Sequence, residues 1–178
     1  MVVCYGYYLK GVRVLSRQHC FPPVVDNSVR VLLLGSLPGK VSLLKRQYYG
    51  HIRNSFWQLM GDILAEPLVD MPYRQRLQTL LKHHVGLWDV IASAQRKGSL
   101  DTAIRQQQTN DLCGLVRQLP QLMGIAFNGA TAAKIAYKQL LAQDFSCPTL
   151  SLPSSSPAYT LSYWQKLEAW RQLTYWLR

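Results

Sequence analysis

Short apolar runs alternate along this chain with longer stretches in which apolar residues recur at helical spacing. Residues 30–34 (RVLLL) form an unbroken run rich in branched side chains that stops at Gly35, the pattern of a strand buried on both faces. Runs at 85–88, 123–127 and 148–152 have the same character, each ending at Gly, Asp, Asn, Pro or Ser. Helical periodicity covers 56–64, 73–83, 110–119, 130–143 and 162–177, with Ser162 placed to cap the last. Four strands alternating with helices predict an α/β fold, a three-layer α/β/α arrangement around a parallel sheet with right-handed crossovers. Residues 1–20 are aromatic and basic without clear periodicity. The pattern therefore predicts one domain over 21–178, preceded by an extension over 1–20 to which it assigns no structure.

Open parallel sheets bind ligands beyond the carboxyl ends of their strands, so the residues after each predicted strand are where chemistry is sought. Those positions hold 35–39 (GSLPG), Asp89, Asn128 with Gly129, and 153–157 (PSSSP). Small polar residues occur in any loop, and only their joint placement carries weight.

Composition narrows the partner. Twenty Lys and Arg against nine Asp and Glu leave a net charge of +11, a surplus that favours a polyanion. Residues 27–61 contain Arg30, Lys40, Lys45, Arg46 and Arg53 and no acid, so one segment concentrates the positive field. With 48% apolar and 16% charged residues the chain is no disordered tail. Cys4, Cys20, Cys113 and Cys147 are too scattered for zinc or iron–sulfur ligation, so no metal or other cofactor is expected. No run approaches the ~20 apolar residues that span a bilayer. A cytoplasmic protein with free thiols and no membrane partner is expected.

GSLPGKVS (35–42) invites comparison with a phosphate-binding loop, but three residues rather than four separate its glycines and Val41, not Ser or Thr, follows Lys40. The loop reads better as a wall that lets a sugar-phosphate approach bare backbone. QYYGHIRNSFW (47–57) interleaves rings with His51, Arg53 and Asn54, a composition suited to stacking on an extracted base and holding phosphate. The same stretch also reads as a loop entering a helix, with Asn54 as its cap and Phe56 and Trp57 in the core.

GSLPGKVSLLKRQYYGHIRNSFW, GLWDVIASAQRKGSLDTAIR, FNGATA and LPSSSPAYT, in that order, resemble the hypoxanthine-DNA (deoxyinosine) glycosylases of the uracil-DNA glycosylase superfamily. The GSLPG and H-x-x-N-x-F-W parts are also similar to the mismatch-specific uracil glycosylases. The likeness runs from about Phe21 to near the C-terminus and implies a four-stranded parallel sheet, a DNA-bending groove and a pocket for one everted base. It implies that Asn54 and Asn128 are catalytic, and that Phe56, Asp89, Ser36, Leu37 and Tyr49 bind the base. Gly39, Lys40, Lys45, Arg53, Ser154, Ser155 and Ser156 are expected to touch DNA, with 152–157 wedging the helix open. The implied partner is double-stranded DNA carrying a deaminated base, met by a monomer associated with the nucleoid.

The sequence departs from the wider superfamily where chemistry is concerned. Leu37 stands where a water-activating Asp or Asn is frequent, Leu152 where classical members carry a His, and Ile52 where relatives have Pro. Neither leucine does acid–base work, which favours the hypoxanthine branch. Hypoxanthine presents an N1–H donor and an O6 acceptor, so a carboxylate at Asp89 and an amide from Asn128 or Asn54 would accept it and repel adenine; uracil offers similar groups at N3–H and O4, so uracil and xanthine stay open beside hypoxanthine. A turn-capping role for Asp89 is the plain alternative. Rival functions are a non-catalytic DNA-binding protein of this fold and a nucleotide-binding hydrolase.

Overall fold

The computed structural model describes residues 17–143 and 146–178, which form a four-stranded and a three-stranded sheet with helices around them. In chain order the strands are β1 (Arg17–His19), β2 (Val31–Gly35), β3 (Val85–Asp89), β4 (Ile91–Arg96), β5 (Ile104–Thr109), β6 (Gly124–Asn128) and β7 (Thr149–Leu152). The helices are α1 (Lys40–Lys45), α2 (Phe56–Leu64), α3 (Tyr73–Lys82), α4 (Leu112–Val116), α5 (Ala130–Ala142), α6 (Tyr163–Trp170) and α7 (Thr174–Leu177). The larger sheet is parallel throughout, in the order β3-β2-β6-β7.

The all-apolar sequence of β2 is explained by its central place, because side chains alternate between the two faces of a sheet. Val31 and Leu33 enter one core with Phe56, Leu59, Met60, Leu80 and Trp170, which brings in α2, α3 and α6. Leu32 and Leu34 enter the other with Leu112, Val116, Ala132, Ala136 and Leu140, from α4 and α5. The expected three-layer α/β/α arrangement follows. The four expected parallel strands are all present, within two residues of their expected ends.

The smaller antiparallel sheet, in the order β1-β4-β5, was not expected. Five of the six residues of β5 (IRQQQT) are exposed, so it shows no hydrophobic alternation, and β4 (IASAQR) is built largely of small and polar residues. Arg17, Gln18 and His19 pair with Gln95, Ala94 and Ser93, so the fold takes in the end of the expected extension. The rest of that expectation, residues 1–16, lies outside the described residues. α1 was also missed, being six residues long and too short to show a period. The helix expected over 110–119 is helical only over Leu112–Val116. The one expected over 162–177 is interrupted by a 3₁₀ turn at Arg171–Leu173. Ser162 does cap α6: its hydroxyl accepts from the Gln165 N–H, and the Gln165 side chain returns to the Ser162 N–H, a reciprocal capping box. Among the described residues no helix is long and apolar enough to cross a membrane.

Candidate active site

Sheet register brings the first site residues together. Gly35 ends β2 directly beside Asp89, which ends β3, while Asn128 ends β6 opposite Leu152 of β7. The carboxylate lies so close over Gly35 that a Cβ there would stand 2.5 Å from Asp89 Oδ1, which is why this position takes glycine. Asp89 is 4% exposed and its Oδ2 has no hydrogen-bond partner. Burial pushes its pKa up to about 7; the charge of Asp101 adds to the rise and Arg96 opposes it. The Asp89 backbone carbonyl is held by the Asn110 amide at 2.7 Å, so the side chain serves no turn of its own.

Tyr49 leans over this pair. A Cβ on Gly35 would lie 3.4 Å from its hydroxyl, and its ring stacks on Phe56 with centroids 3.7 Å apart and planes 13° from parallel. Burial, then the charge of Asp89, raises the pKa of the Tyr49 phenol, and the Asn128 side chain partly offsets this. The backbone of Tyr49 is left-handed (φ 53°), a conformation that costs a bulky side chain of order 1 kcal/mol or more, and its packing holds it there. Phe56 is fully buried, with Tyr49 on its face and Trp57 and Trp170 meeting it in T-shaped contacts. Tyr49 thus covers one face of the Phe56 ring. Asn54 precedes α2 and its Oδ1 accepts from the Phe56 N–H at 3.0 Å. The N-cap of α2 is Ser55, one residue on from the cap expected at Asn54, whose amide closes the turn before the helix and retains its Nδ2 group.

Asn128 is tied to the last loop from both ends of its amide. Nδ2 donates to Ser155 Oγ and Oδ1 accepts from the Ser155 N–H, both at 2.8 Å. These two bonds brace the 153–159 loop and leave Asn128 one N–H and one carbonyl lone pair unused. The loop over 153–159 is fixed one carbonyl after another. Trp170 Nε1 holds the Pro153 carbonyl, Ser55 N–H and Oγ hold that of Ser155, and the Lys166 ammonium holds those of Ser156 and Tyr159. Ser154 packs against Gly129, whose φ of 101° only glycine adopts without strain. Asn54, Tyr49, Asp89 and Asn128 therefore belong to one contact network at the carboxyl edge of the parallel sheet.

The GSLPG loop closes the other side, and residues that sequence reasoning passed over hold it. The Ser36 hydroxyl donates to Asp101 Oδ1 at 2.9 Å, the Lys40 N–H donates to Ser99 Oγ at 3.0 Å, and Arg96 donates to the carbonyls of Leu37 and Pro38. Leu37 itself is buried, 6% exposed. The only sequence signal for these residues was the QRKGSLD string, which carries no chemical signature of its own. Lys40, Lys45 and Arg53 are exposed, Gly39 is half-buried before α1, and Ser154 and Ser156 are half-buried on their loop. A cavity of about 570 Å³ beneath Tyr48 and Tyr73 contains none of the expected site residues.

Comparison with known proteins agrees with this arrangement. The family model described as "Uracil DNA glycosylase superfamily" matches residues 22–178. A hypoxanthine DNA glycosylase of Methanosarcina acetivorans is 44% identical over 138 residues, 78% of this chain and 85% of the relative. One from Methanosarcina barkeri is 39% identical over 152 residues, 85% of this chain and 94% of the relative. The solution NMR structure of a candidate uracil DNA glycosylase from M. acetivorans superposes with a TM-score of 0.78 at 37% identity, covering 89% of this chain and 96% of the other. The chain belongs to the uracil DNA glycosylase superfamily.

Proposed function

We propose that this protein is a monofunctional DNA glycosylase that everts a deaminated base, hypoxanthine above all, from double-stranded DNA and hydrolyses its N-glycosidic bond. Glycosylase activity follows from the family and from the two relatives; the choice of base is supported by those relatives' substrate and by Asp89. The observation that carries the choice is Asp89, a buried carboxyl group with one unpartnered oxygen at the end of β3. As a carboxylate it accepts from the N1–H of hypoxanthine, whereas adenine presents an acceptor at N1 and is repelled. Asn54 Nδ2, or the second N–H of Asn128 Nδ2, donates to O6, and Asn54 orients the attacking water. Tyr49 is the ring on which the base stacks, backed by Phe56.

Departure of the base leaves positive charge on the sugar and negative charge on the base. Donors preset around the base lower that barrier without reorganising. Leu37 and Leu152 supply no general base, which fits slow turnover limited by such donors. Lys166 is engaged with two backbone carbonyls, so its amine is not offered for a Schiff base, and strand cleavage is not expected. The non-catalytic reading is disfavoured because an unpaired buried carboxyl is costly and has no structural use, while the nucleotide-binding reading fails on the loop spacing.

The test is release of free base, followed by alkali cleavage, from duplexes containing deoxyinosine, deoxyuridine, deoxyxanthosine or only normal bases. Hypoxanthine should be released fastest and adenine not at all. Equal release of uracil and hypoxanthine would end the claim of preference, and release of neither would end the claim of function.

A further inference from the structure

Arg96 ends β4 and is 3% exposed, outside the set of residues that meet the base. Its Nη1 donates to the Leu37 carbonyl at 3.3 Å and its Nη2 to the Pro38 carbonyl, while Nε and Nη2 reach Gln18 Oε1 at 3.1 and 2.8 Å. Nη1 also stands 3.9 Å from Asp101 Oδ1. A guanidinium withdrawn from water needs most of its donors satisfied, and here two of the acceptors are consecutive carbonyls of the loop that follows β2. Ser99 and Asp101, from the same β4–β5 connection, grip that loop at Lys40 and Ser36. The small antiparallel sheet and its connection are thus a clamp on the loop that follows β2.

The clamp also carries charge. The ionisable groups felt by or feeling Asp89 are Arg96, Asp101, Cys20, Tyr48, Tyr49 and Tyr73, and among them Arg96 is the cation. The charge of Asp101 works against ionisation of Asp89, and Arg96, 3.9 Å from Asp101 Oδ1, works the other way.

We infer that Arg96 is a positioning residue for base recognition, which locks residues 36–38 against the end of β3 and supplies the counter-charge for the Asp89–Asp101 pair. This rests on the proposed reading of Asp89 as the acceptor for the base. Two functions in one side chain separate on substitution. Arg96→Lys keeps the charge and loses the fork that holds both carbonyls and Gln18. Arg96→Met loses both, and Asp101→Asn removes the repelling charge while its Oδ1 still accepts from Ser36.

The experiment measures hypoxanthine excision under single turnover from pH 5 to 9, with the titration of the Asp89 carboxyl followed by ¹³C NMR in the free protein. Arg96→Met should move the acid limb and the NMR midpoint up by about one pH unit or more, the scale set by an opposite charge close by. Asp101→Asn should move both down. Arg96→Lys should leave the limb in place and lower the plateau rate. An unmoved midpoint in Arg96→Met overturns the inference; should Arg96→Met not fold, Arg96→Lys decides it, a wild-type plateau rate overturning the inference. If the wild type releases no base, the functional reading fails, and the NMR midpoints still decide whether Arg96 governs Asp89.

Discussion

A carboxyl group shut away from water holds its proton more tightly in the folded chain than in the unfolded one, and Asp89 is such a group. Its pKa near 7 stands well above the usual carboxylate range. Between about pH 4 and 7 the folded state therefore binds more protons than the unfolded state. Stability from this group is present below that window and is lost as pH rises through it. Asp89→Asn, which keeps the shape and cannot ionise, should be more stable than the wild type at pH 8 by urea denaturation and no more stable at pH 4. Excision runs the other way, since the acceptor form is needed. The wild-type rate on deoxyinosine should fall as pH drops below 7, and discrimination against adenine should weaken, because a protonated Asp89 can donate to adenine N1. At Asn54, loss of a donor to the departing base predicts that Asn54→Ala slows single-turnover excision about 100-fold, far more than the small drop in melting temperature expected from losing its bond to the Phe56 N–H.

Asp89 and Asn54 were legible at this scale because both stand just beyond a buried run or in a ring-rich loop. The order of the two rings was not legible. Tyr49 and Phe56 are both aromatic, and only packing tells which faces outward and which is sealed behind it. The engagement of Asn128 with Ser155 likewise joins residues from two different loops, which no local pattern reveals.

Elements that cross a core announce themselves, and elements that lie on its surface do not. β2 fills both faces of the sheet and reads as VLLLG, every residue buried. β5 pairs with β4 through backbone and a bond from the Ser93 hydroxyl to Gln108 Oε1, and five of its six residues are exposed, so its sequence is free to be polar. This is why the clamp on the GSLPG loop escaped notice although its residues were in view. Where a local signal is chemical, it held: the Ser162–Gln165 capping box was half visible as a cap. Ser162→Ala should cost about 1 kcal/mol, measured as a lower urea midpoint at unchanged slope. α6 carries Lys166 and Trp170, which hold the 153–159 loop, so that variant should also weaken binding to duplex DNA modestly.

Over the whole molecule, a net charge of +11 on 178 residues makes association with DNA dependent on released counterions. Lys40, Lys45 and Arg53 are exposed on the segment that joins β2 to α2. Replacing any one by Ala should lower the slope of log affinity against log salt by about 1 and leave the choice of base unaltered. The fold as a whole was legible because strand, helix and loop alternate with one buried sheet at the centre. The second sheet adds an antiparallel layer that alternation cannot foresee.

The most direct measurement is a structure of the protein on a duplex carrying an uncleavable deoxyinosine analogue. The account predicts an everted hypoxanthine stacked on Tyr49, its N1 within hydrogen-bond distance of the Asp89 carboxylate and its O6 facing an amide. A base that remains in the helix, or one seated away from Asp89, would contradict it.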